Sequence, residues 1–104
     1  MEQCIFCDIA NNKKEMLVAE RDDFVIFNDI HPSAPVHMLI VPKEHISSVN
    51  ELEDKHKGLV ADMIYTAKDI AKEQKLEGYK LIFNVGERGG QIVFHLHLHL
   101  MGWK

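Results

Sequence analysis

The sequence lacks an excess of basic residues, a long apolar run and a cysteine framework, and each absence excludes a class of protein. Twelve Lys+Arg face sixteen Asp+Glu, and the net charge of -4 argues against a nucleic-acid polymer as partner, while leaving room for a single mononucleotide. The apolar stretches are far shorter than the roughly 20 residues of a membrane-spanning helix, so no membrane partner is expected. Cys4 and Cys7 are too close together to staple a fold, and no signal peptide opens the chain, so we expect a cytoplasmic protein.

The chain does contain two kinds of hydrophobic periodicity within an ordinary globular composition. Its 104 residues are enough for one domain, residues 1–104. Apolar residues at three- and four-residue spacing predict a long helix over residues 54–74 with Gly78 as its C-cap, and a helical turn is expected at residues 5–10. Short apolar runs bounded by turn residues predict five strands, at residues 16–19, 24–27, 37–41, 79–85 and 92–101. The fold class is therefore α+β, and the turn at residues 86–90 should pair the last two strands antiparallel.

Three histidines occupy alternate positions near the end of the sequence, in the stretch "HLHLHL". In a strand, His95, His97 and His99 would share one face, while the intervening leucines would face the core. The outer two would lie about 13 Å apart at roughly 3.3 Å per residue, which is too far for one zinc ion. A lone histidine is usually a satisfied polar side chain, but a row of three along a cleft favours a nucleophile flanked by groups that orient it and move protons.

A glycine-rich turn, "NVGERGGQ", precedes the triad and brings polar side chains to the same hairpin. Glycines such as Gly90 let backbone N–H groups converge on an anion, and Asn84 and Gln91 flank them. Most glycine-rich turns are merely turns, and this one lacks the Gly-Lys-Ser/Thr sequence of a P-loop. The turn is consistent with a phosphate site without establishing one.

The pair Cys4-x-x-Cys7 has the spacing of half a zinc site. The same spacing occurs in small buried pairs and in thioredoxin-like redox motifs, although the latter follow a strand. From the residues alone these interpretations stay open.

Four ordered stretches together resemble one protein family. "CIFCDIA" opens the chain, "FNDIHPSAPVHMLIVPKEHI" lies in the middle, "NVGERGGQ" follows, and "HLHLHL" matches a His-x-His-x-His pattern in which x is apolar. Over nearly its whole length the chain is similar to the histidine triad family, in particular its nucleotide-binding, phosphoramidase-type branch. The resemblance implies a five-stranded antiparallel sheet with one long and one short helix, and a homodimer formed through the long helix and the strand at residues 79–85.

The resemblance also implies a purine mononucleotide site. His97 would attack the α-phosphorus of a nucleoside 5′-phosphoramidate or related ester, giving a nucleotidyl-histidine that water hydrolyses, and His99 would assist the leaving group. Asn84 and Gln91 would bind phosphate oxygens, and Asp29 the ribose hydroxyls. The base would enter an apolar slot formed by Phe6, Ile9, Phe27 and Ile30. Without the resemblance, plain core is the preferred interpretation of those four residues, and a turn cap explains Asp29 as well as a ribose contact does.

By likeness to family members that pair two cysteines with two histidines, a structural zinc would be held by Cys4, Cys7, His45 and His95. Two positions depart from close relatives: Ile92 stands where serine is frequent, and Trp103 replaces a second glycine. Both departures bear on the preference for leaving groups.

The remaining histidines are expected outside the chemistry. His37 begins a strand and could brace the site, His56 would lie solvated on the long helix, and His31 lies in a loop. Two other functions stay open: a nucleotide-binding interaction module with incidental turnover, and a zinc hydrolase with metal-bound water.

Overall fold

The computed structural model describes residues 4–104 and contains a five-stranded sheet with a helix on each face. The short helix α1 spans Ile5–Asn12 and the long helix α2 spans Lys57–Glu73. The strands are β1 Leu17–Glu20, β2 Phe24–Asn28, β3 Val36–Pro42, β4 Gly78–Ile82 and β5 Leu98–Trp103. Within the described residues, no helix is both long enough and apolar enough to span a membrane.

The strand order is β1-β2-β3-β5-β4, and every neighbouring pair is antiparallel. The last two strands pair as the sequence predicted, with Leu81 opposite Leu100. The α+β class, the antiparallel sheet and the two helices are therefore confirmed. β1 and β4 form the two edges.

The sheet is buried on both faces, which explains why β2 and β3 are continuous apolar runs rather than alternating ones. On one face α2 contributes Met63 and Ala67 to a cluster that includes Ile26 and Ile40. On the other face α1 packs its apolar side against the alternate residues of the same strands, in a cluster of Phe6, Ile9, Ala10, Val25, Phe27, Leu39 and Val41. This second face carries the candidate site.

The last strand is shorter than predicted, because the sheet offers no ladder partner upstream of Leu98. Leu98 pairs with Ile40, so Leu96 would have to pair with Pro42, whose nitrogen has no proton to donate. The backbone instead bends away, and the Leu96 N–H donates to the Ile46 carbonyl at 2.6 Å. The predicted strand at residues 92–101 is thus wrong for its first half, although Leu96 is buried as expected.

The C-terminal end of α2 differs from the prediction. Gly78 begins β4, and the left-handed residue after the helix is Lys75, with φ 58°. The Lys75 and Leu76 N–H groups donate to the Lys72 and Ala71 carbonyls, the pattern of a Schellman cap.

His56 is buried rather than solvated, and it lies in a 3-10 turn that precedes α2. Its Nδ1 accepts from the Glu53 N–H at 2.9 Å, and its Nε2 faces Glu44. The histidine closes a capping box, which a hydrophobic pattern does not reveal.

Gly102 in β5 should be sensitive to enlargement, because a Cβ there would overlap the Leu76 side chain and lie 3.0 Å from its Cγ. We expect Gly102→Ala to lower the free energy of unfolding by about 1–3 kcal/mol through overpacking. At Gly58 in α2 a Cβ meets nothing within 4 Å, so Gly58→Ala should raise stability by about 0.5–1 kcal/mol. Denaturant unfolding of both variants checks this, and equal changes of the same sign would contradict the packing argument.

Candidate active site

A cavity of about 470 Å³ opens on the α1 face of the sheet. It is reached by almost all of the residues predicted from the sequence to handle a nucleotide: Phe6, Ile9, Phe27, Asp29, Ile30, Asn84, Gly90, His97 and His99. Phe6, Ile9 and Phe27 also belong to the core cluster beneath α1, so they serve both as core and as cavity wall. Ile30 is 71% exposed and lies at the rim.

His97 is held in one tautomer by its own strand segment. Its Nδ1 lies 2.7 Å from the His95 carbonyl oxygen, and because a carbonyl only accepts, Nδ1 carries the proton. Burial lowers the pKa of His97, so the ring is neutral near pH 7. The Phe6 ring packs edge-on at 5.0 Å between ring centroids and fixes the imidazole plane. Nε2 therefore carries an unprotonated lone pair, as a nucleophile requires.

His99 is oriented by a chain of hydrogen bonds that begins at the backbone. The Ser33 N–H donates to His37 Nδ1 at 2.9 Å, so the proton of neutral His37 is on Nε2. That Nε2 lies 3.0 Å from His99 Nδ1, which accepts, and the His99 proton is then on Nε2. Burial, with the neighbouring His97 and His37, lowers the pKa of His99 to about 4. His99 is thus a neutral hydrogen-bond donor beside His97, with ring centroids 4.8 Å apart.

His37 thus braces His99, which the sequence left as an open suggestion. The signal was its position on β3: Leu39 pairs with His99, and His37 lies two residues away on the same face. The contact between His37 and His99 becomes apparent only when β3 pairs with β5 in the folded chain.

Asp29 stabilises the turn after β2 and also lines the cavity. Its Oδ1 accepts from the His31 N–H at 2.8 Å, which stabilises the turn after β2. Its Oδ2 lies 3.4 Å from His37 Nε2 and faces the cavity. The carboxylate is fixed at the wall, with lone pairs left to accept from a diol.

The glycine-rich turn brings Asn84 and Gly90 to the cavity but not Gln91. Gly90 has φ 89°, which a side chain would strain, and the Asn84 amide donates to the Gly89 carbonyl at 3.0 Å. Gln91 is 3% exposed: its Oε1 accepts from the Gly86 N–H, and its Nε2 donates to the Ser47 and Val93 carbonyls. These bonds hold the turn, and binding of a phosphate oxygen by the Gln91 amide stays a prediction.

The predicted metal ligands converge at the N-terminal end of α1, where Cys4 is the N-cap and Cys7 lies in the first turn. The Sγ atoms of Cys4 and Cys7 and the Nδ1 atoms of His45 and His95 all lie within 4.8 Å of one another. Neighbouring donor atoms are 3.1–3.5 Å apart, close to the roughly 3.3–3.8 Å between ligands of a tetrahedral zinc with usual bond lengths.

The protonation of His95 also suits a metal. Its Nε2 lies 2.8 Å from the Pro42 carbonyl oxygen and so carries the proton, which leaves the Nδ1 lone pair aimed at the two sulfurs. Burial lowers the pKa of His95 and keeps the ring neutral. Burial and the adjacent Cys4 raise the pKa of Cys7 to about 11, so metal binding would have to displace the thiol proton.

Asp29, His37 and His99 form a second close group of potential ligands, but it does not suit a metal in this arrangement. His37 Nε2, the atom that faces the other two, carries a proton because Nδ1 accepts from Ser33. A protonated nitrogen cannot coordinate. The two clusters therefore differ in kind: the cysteine–histidine cluster could hold a cation, whereas hydrogen bonds among Asp29, His37 and His99 fix the position of a proton.

Comparisons with known proteins agree with this geometry. Residues 3–104 match a family model described as the C-terminal binding region of the scavenger mRNA decapping enzyme. A purine nucleoside phosphoramidase of Escherichia coli is 38% identical over 99% of this chain and 89% of its own. The crystal structure of a HIT family hydrolase from Legionella pneumophila superimposes with a TM-score of 0.90 at 42% identity, covering 98% of this chain and 94% of that one. This chain belongs to the histidine triad family.

A zinc-bound histidine triad protein from Mycobacterium smegmatis shares the fold, with a TM-score of 0.82 and 27% identity over 98% of this chain and 76% of that one. Within the histidine triad framework, the triad residues divide between two sites. His97 and His99 line the cavity, whereas His95 is fully buried and faces the cysteines. The division follows from the bend before Leu98, which turns His95 away from the cavity that His97 and His99 share.

Proposed function

We propose that the protein is a hydrolase of nucleoside 5′-phosphoramidates, or of related nucleotidyl esters, that acts through a covalent nucleotidyl-histidine on His97. The observation that carries the proposal is the 2.7 Å hydrogen bond from His97 Nδ1 to the His95 carbonyl, which leaves Nε2 unprotonated inside the cavity. The similarity to histidine triad hydrolases and to a purine nucleoside phosphoramidase supports the reaction class and a purine substrate.

Binding would use the two ends of the cavity differently. The base enters the apolar slot of Phe6, Ile9, Phe27 and Ile30. Ring contacts and burial supply affinity there, without hydrogen bonds to the edge of the base. The ribose hydroxyls donate to Asp29, and phosphate oxygens accept from the second N–H of the Asn84 amide, because the Gly89, Gly90 and Gln91 N–H groups bond within the turn. The phosphorus then lies against His97.

The chemistry would proceed in two displacements. His97 Nε2 attacks the α-phosphorus and the P–N bond to the leaving amine breaks. The amine takes the proton of His99 Nε2, and a proton from solvent replaces it, so His99 stays neutral. Water then attacks the same phosphorus and releases its proton to solvent, while the bond from phosphorus to His97 breaks and the nucleoside monophosphate is released. His37 keeps His99 in the donor tautomer throughout the first half.

The activity is tested by incubating purified protein with the adenosine 5′-phosphoramidate of ammonia and measuring AMP release. We expect turnover many orders of magnitude above the buffer reaction, as is usual for enzymes. Tight AMP binding without turnover would favour a nucleotide-binding interaction module instead. Equal rates before and after removal of metal would separate the covalent mechanism from a zinc hydrolase with metal-bound water.

Structural zinc at Cys4, Cys7, His45 and His95 is the second part of the proposal. The donor set supplies four protein ligands, which is typical of a structural site and leaves no position for water. When bound, the ion would fasten the start of α1 to the segment that carries His95. The His97 Nδ1 bonds to the His95 carbonyl and not to the ring that would hold the ion, so the tautomer of His97 does not depend on the metal.

A homodimer through α2 and β4 is the third part. β4 is an edge strand with unpaired backbone groups, and its Tyr79 and Leu81 are 41% and 36% exposed. Leu81 pairs with Leu100 and so points to the α2 side of the sheet, where Ile64 and Tyr65 of α2 are also exposed. A two-fold contact would cover this surface.

We expect light scattering to give twice the chain mass of 12.0 kDa at micromolar concentration. Leu81→Glu should shift the mass to that of the monomer, because it places a charge in the contact. Val18→Glu alters a similarly exposed apolar residue on the opposite edge strand β1 and should leave the dimer intact. A monomeric wild type, or equal effects of the two substitutions, would exclude this interface.

A further inference from the structure

An apolar strip continues the wall of the candidate active site onto the neighbouring surface. It consists of Ile5, Ile92, Val93 and Phe94. The first three line both the cavity of the candidate active site and a second, more open cavity that Cys7 and His45 also line, and Phe94 lines the second. Ile92 is 89% exposed, Ile5 57% and Phe94 49%.

Ile92 is held outward by the residues on either side of it. Gln91 is pinned by its amide hydrogen bonds to the Gly86, Ser47 and Val93 backbones. Val93 packs against the core cluster beneath α1. The side chain of Ile92 therefore cannot turn inward without breaking those contacts. An apolar side chain presented in this fixed way beside a cavity indicates a binding surface.

The carboxylates and the lysine that line the two cavities are paired within the protein. Asp8 in the second cavity faces Lys13 at 3.7 Å, and Lys13 lines the first cavity. Asp29 is engaged by the turn and by His37. No residue of the strip carries a charge or a hydrogen-bonding side chain, so its chemistry suits an uncharged apolar group.

We infer that Ile92 and the apolar strip bind the leaving group of the substrate, and that the preferred substrates are nucleotide phosphoramidates of apolar alkyl or aryl amines. This inference rests on the proposed function. With the nucleoside in the slot of Phe6, Ile9 and Phe27 and the phosphorus at His97, the other substituent on phosphorus must leave the cavity along a different wall. Ile92 and Val93 form a wall that both cavities share, so the departing amine lies against them.

The test compares two adenosine 5′-phosphoramidates whose amines have similar basicity, phenethylamine and ethanolamine. Similar basicity keeps the intrinsic reactivity of the P–N bond comparable, so a difference in kcat/KM reports contacts. We expect the wild type to prefer the phenethylamine compound by about tenfold, a discrimination typical of a few apolar contacts. Ile92→Ser should reduce the ratio to about twofold or less. Val18→Ser, 48% exposed and outside both cavities, should keep the wild-type ratio.

The outcomes separate the inference from the proposal beneath it. Hydrolysis of neither compound would overturn the proposed function and the inference together. Hydrolysis of both at similar kcat/KM would overturn the inference alone, as would a preference that Ile92→Ser retains. A dimer that dissociates in Ile92→Ser would show that a second copy covers Ile92, and would also overturn the assignment. Because Ile92 is exposed, the substitution is not expected to impair folding.

Discussion

Replacing His97 by alanine is expected to lower kcat for an adenosine 5′-phosphoramidate by at least about a thousandfold, the scale seen when a covalent nucleophile is removed. The loss should fall on kcat and not on binding, because the apolar slot, Asp29 and Asn84 remain in place. Calorimetry should therefore give an AMP Kd within about threefold of wild type. Rapid quenching followed by intact-protein mass measurement should show a nucleotidyl adduct on the wild type and none on the variant.

His99→Ala is the matched control within the same cavity. It should slow turnover less than His97→Ala, and mainly for amines that leave poorly, because it removes a proton donor and not the nucleophile. The adduct should still form in this variant. Turnover of His97→Ala at the wild-type rate, or an adduct on the peptide of another residue, would exclude covalent catalysis at this histidine.

The elements of the fold followed from periodicity because both faces of the sheet are covered by helices. The continuous run of β3 and the three- and four-residue spacing of α2 are direct consequences of that burial. The bend between Gln91 and His97 did not follow from the same rules. Its alternating pattern matches a strand, but Pro42 cannot continue the ladder. The pairing of β3 with β5 joins residues that are 58 positions apart (Ile40 and Leu98) to 66 positions apart (Val36 and Gly102).

The sequence predicted which residues form the candidate site better than it predicted the hydrogen bonds among them. Motif spacing indicated His97, Asp29 and Asn84, and the structure brings all three to one cavity. It did not indicate that Gln91 would turn inward to its own backbone. Nor did it indicate the link from the Ser33 N–H through His37 to His99. The tautomer of each histidine depends on the backbone group to which its ring is hydrogen-bonded. Those hydrogen bonds form only in the tertiary structure, so the sequence does not show them.

Removing one ligand of the cysteine–histidine cluster is expected to cause the largest change in stability. Protein purified without chelators should contain about one zinc per chain, the content of a single four-ligand site. His45→Gln should lose the metal and lower the free energy of unfolding by about 4 kcal/mol, the stabilisation given by a ligand at a thousand times its Kd. His45 is the informative ligand to replace because its side chain is exposed, so its loss removes little packing.

His99→Gln is the control that separates the effect of losing the metal from the effect of replacing a histidine. His99 has no contact with the cluster, so this variant should keep its zinc and its dependence on chelator, while His45→Gln should no longer respond to chelator.

The chelator response should also weaken as pH falls, because the pKa of Cys7, raised to about 11 without metal, means that binding displaces a proton. Protein that stays free of metal after zinc is added, with unfolding insensitive to chelator, would show that the four side chains form a plain buried contact. The nucleophile at His97 would be unaffected by that outcome, because its tautomer depends on the His95 carbonyl and not on the His95 ring.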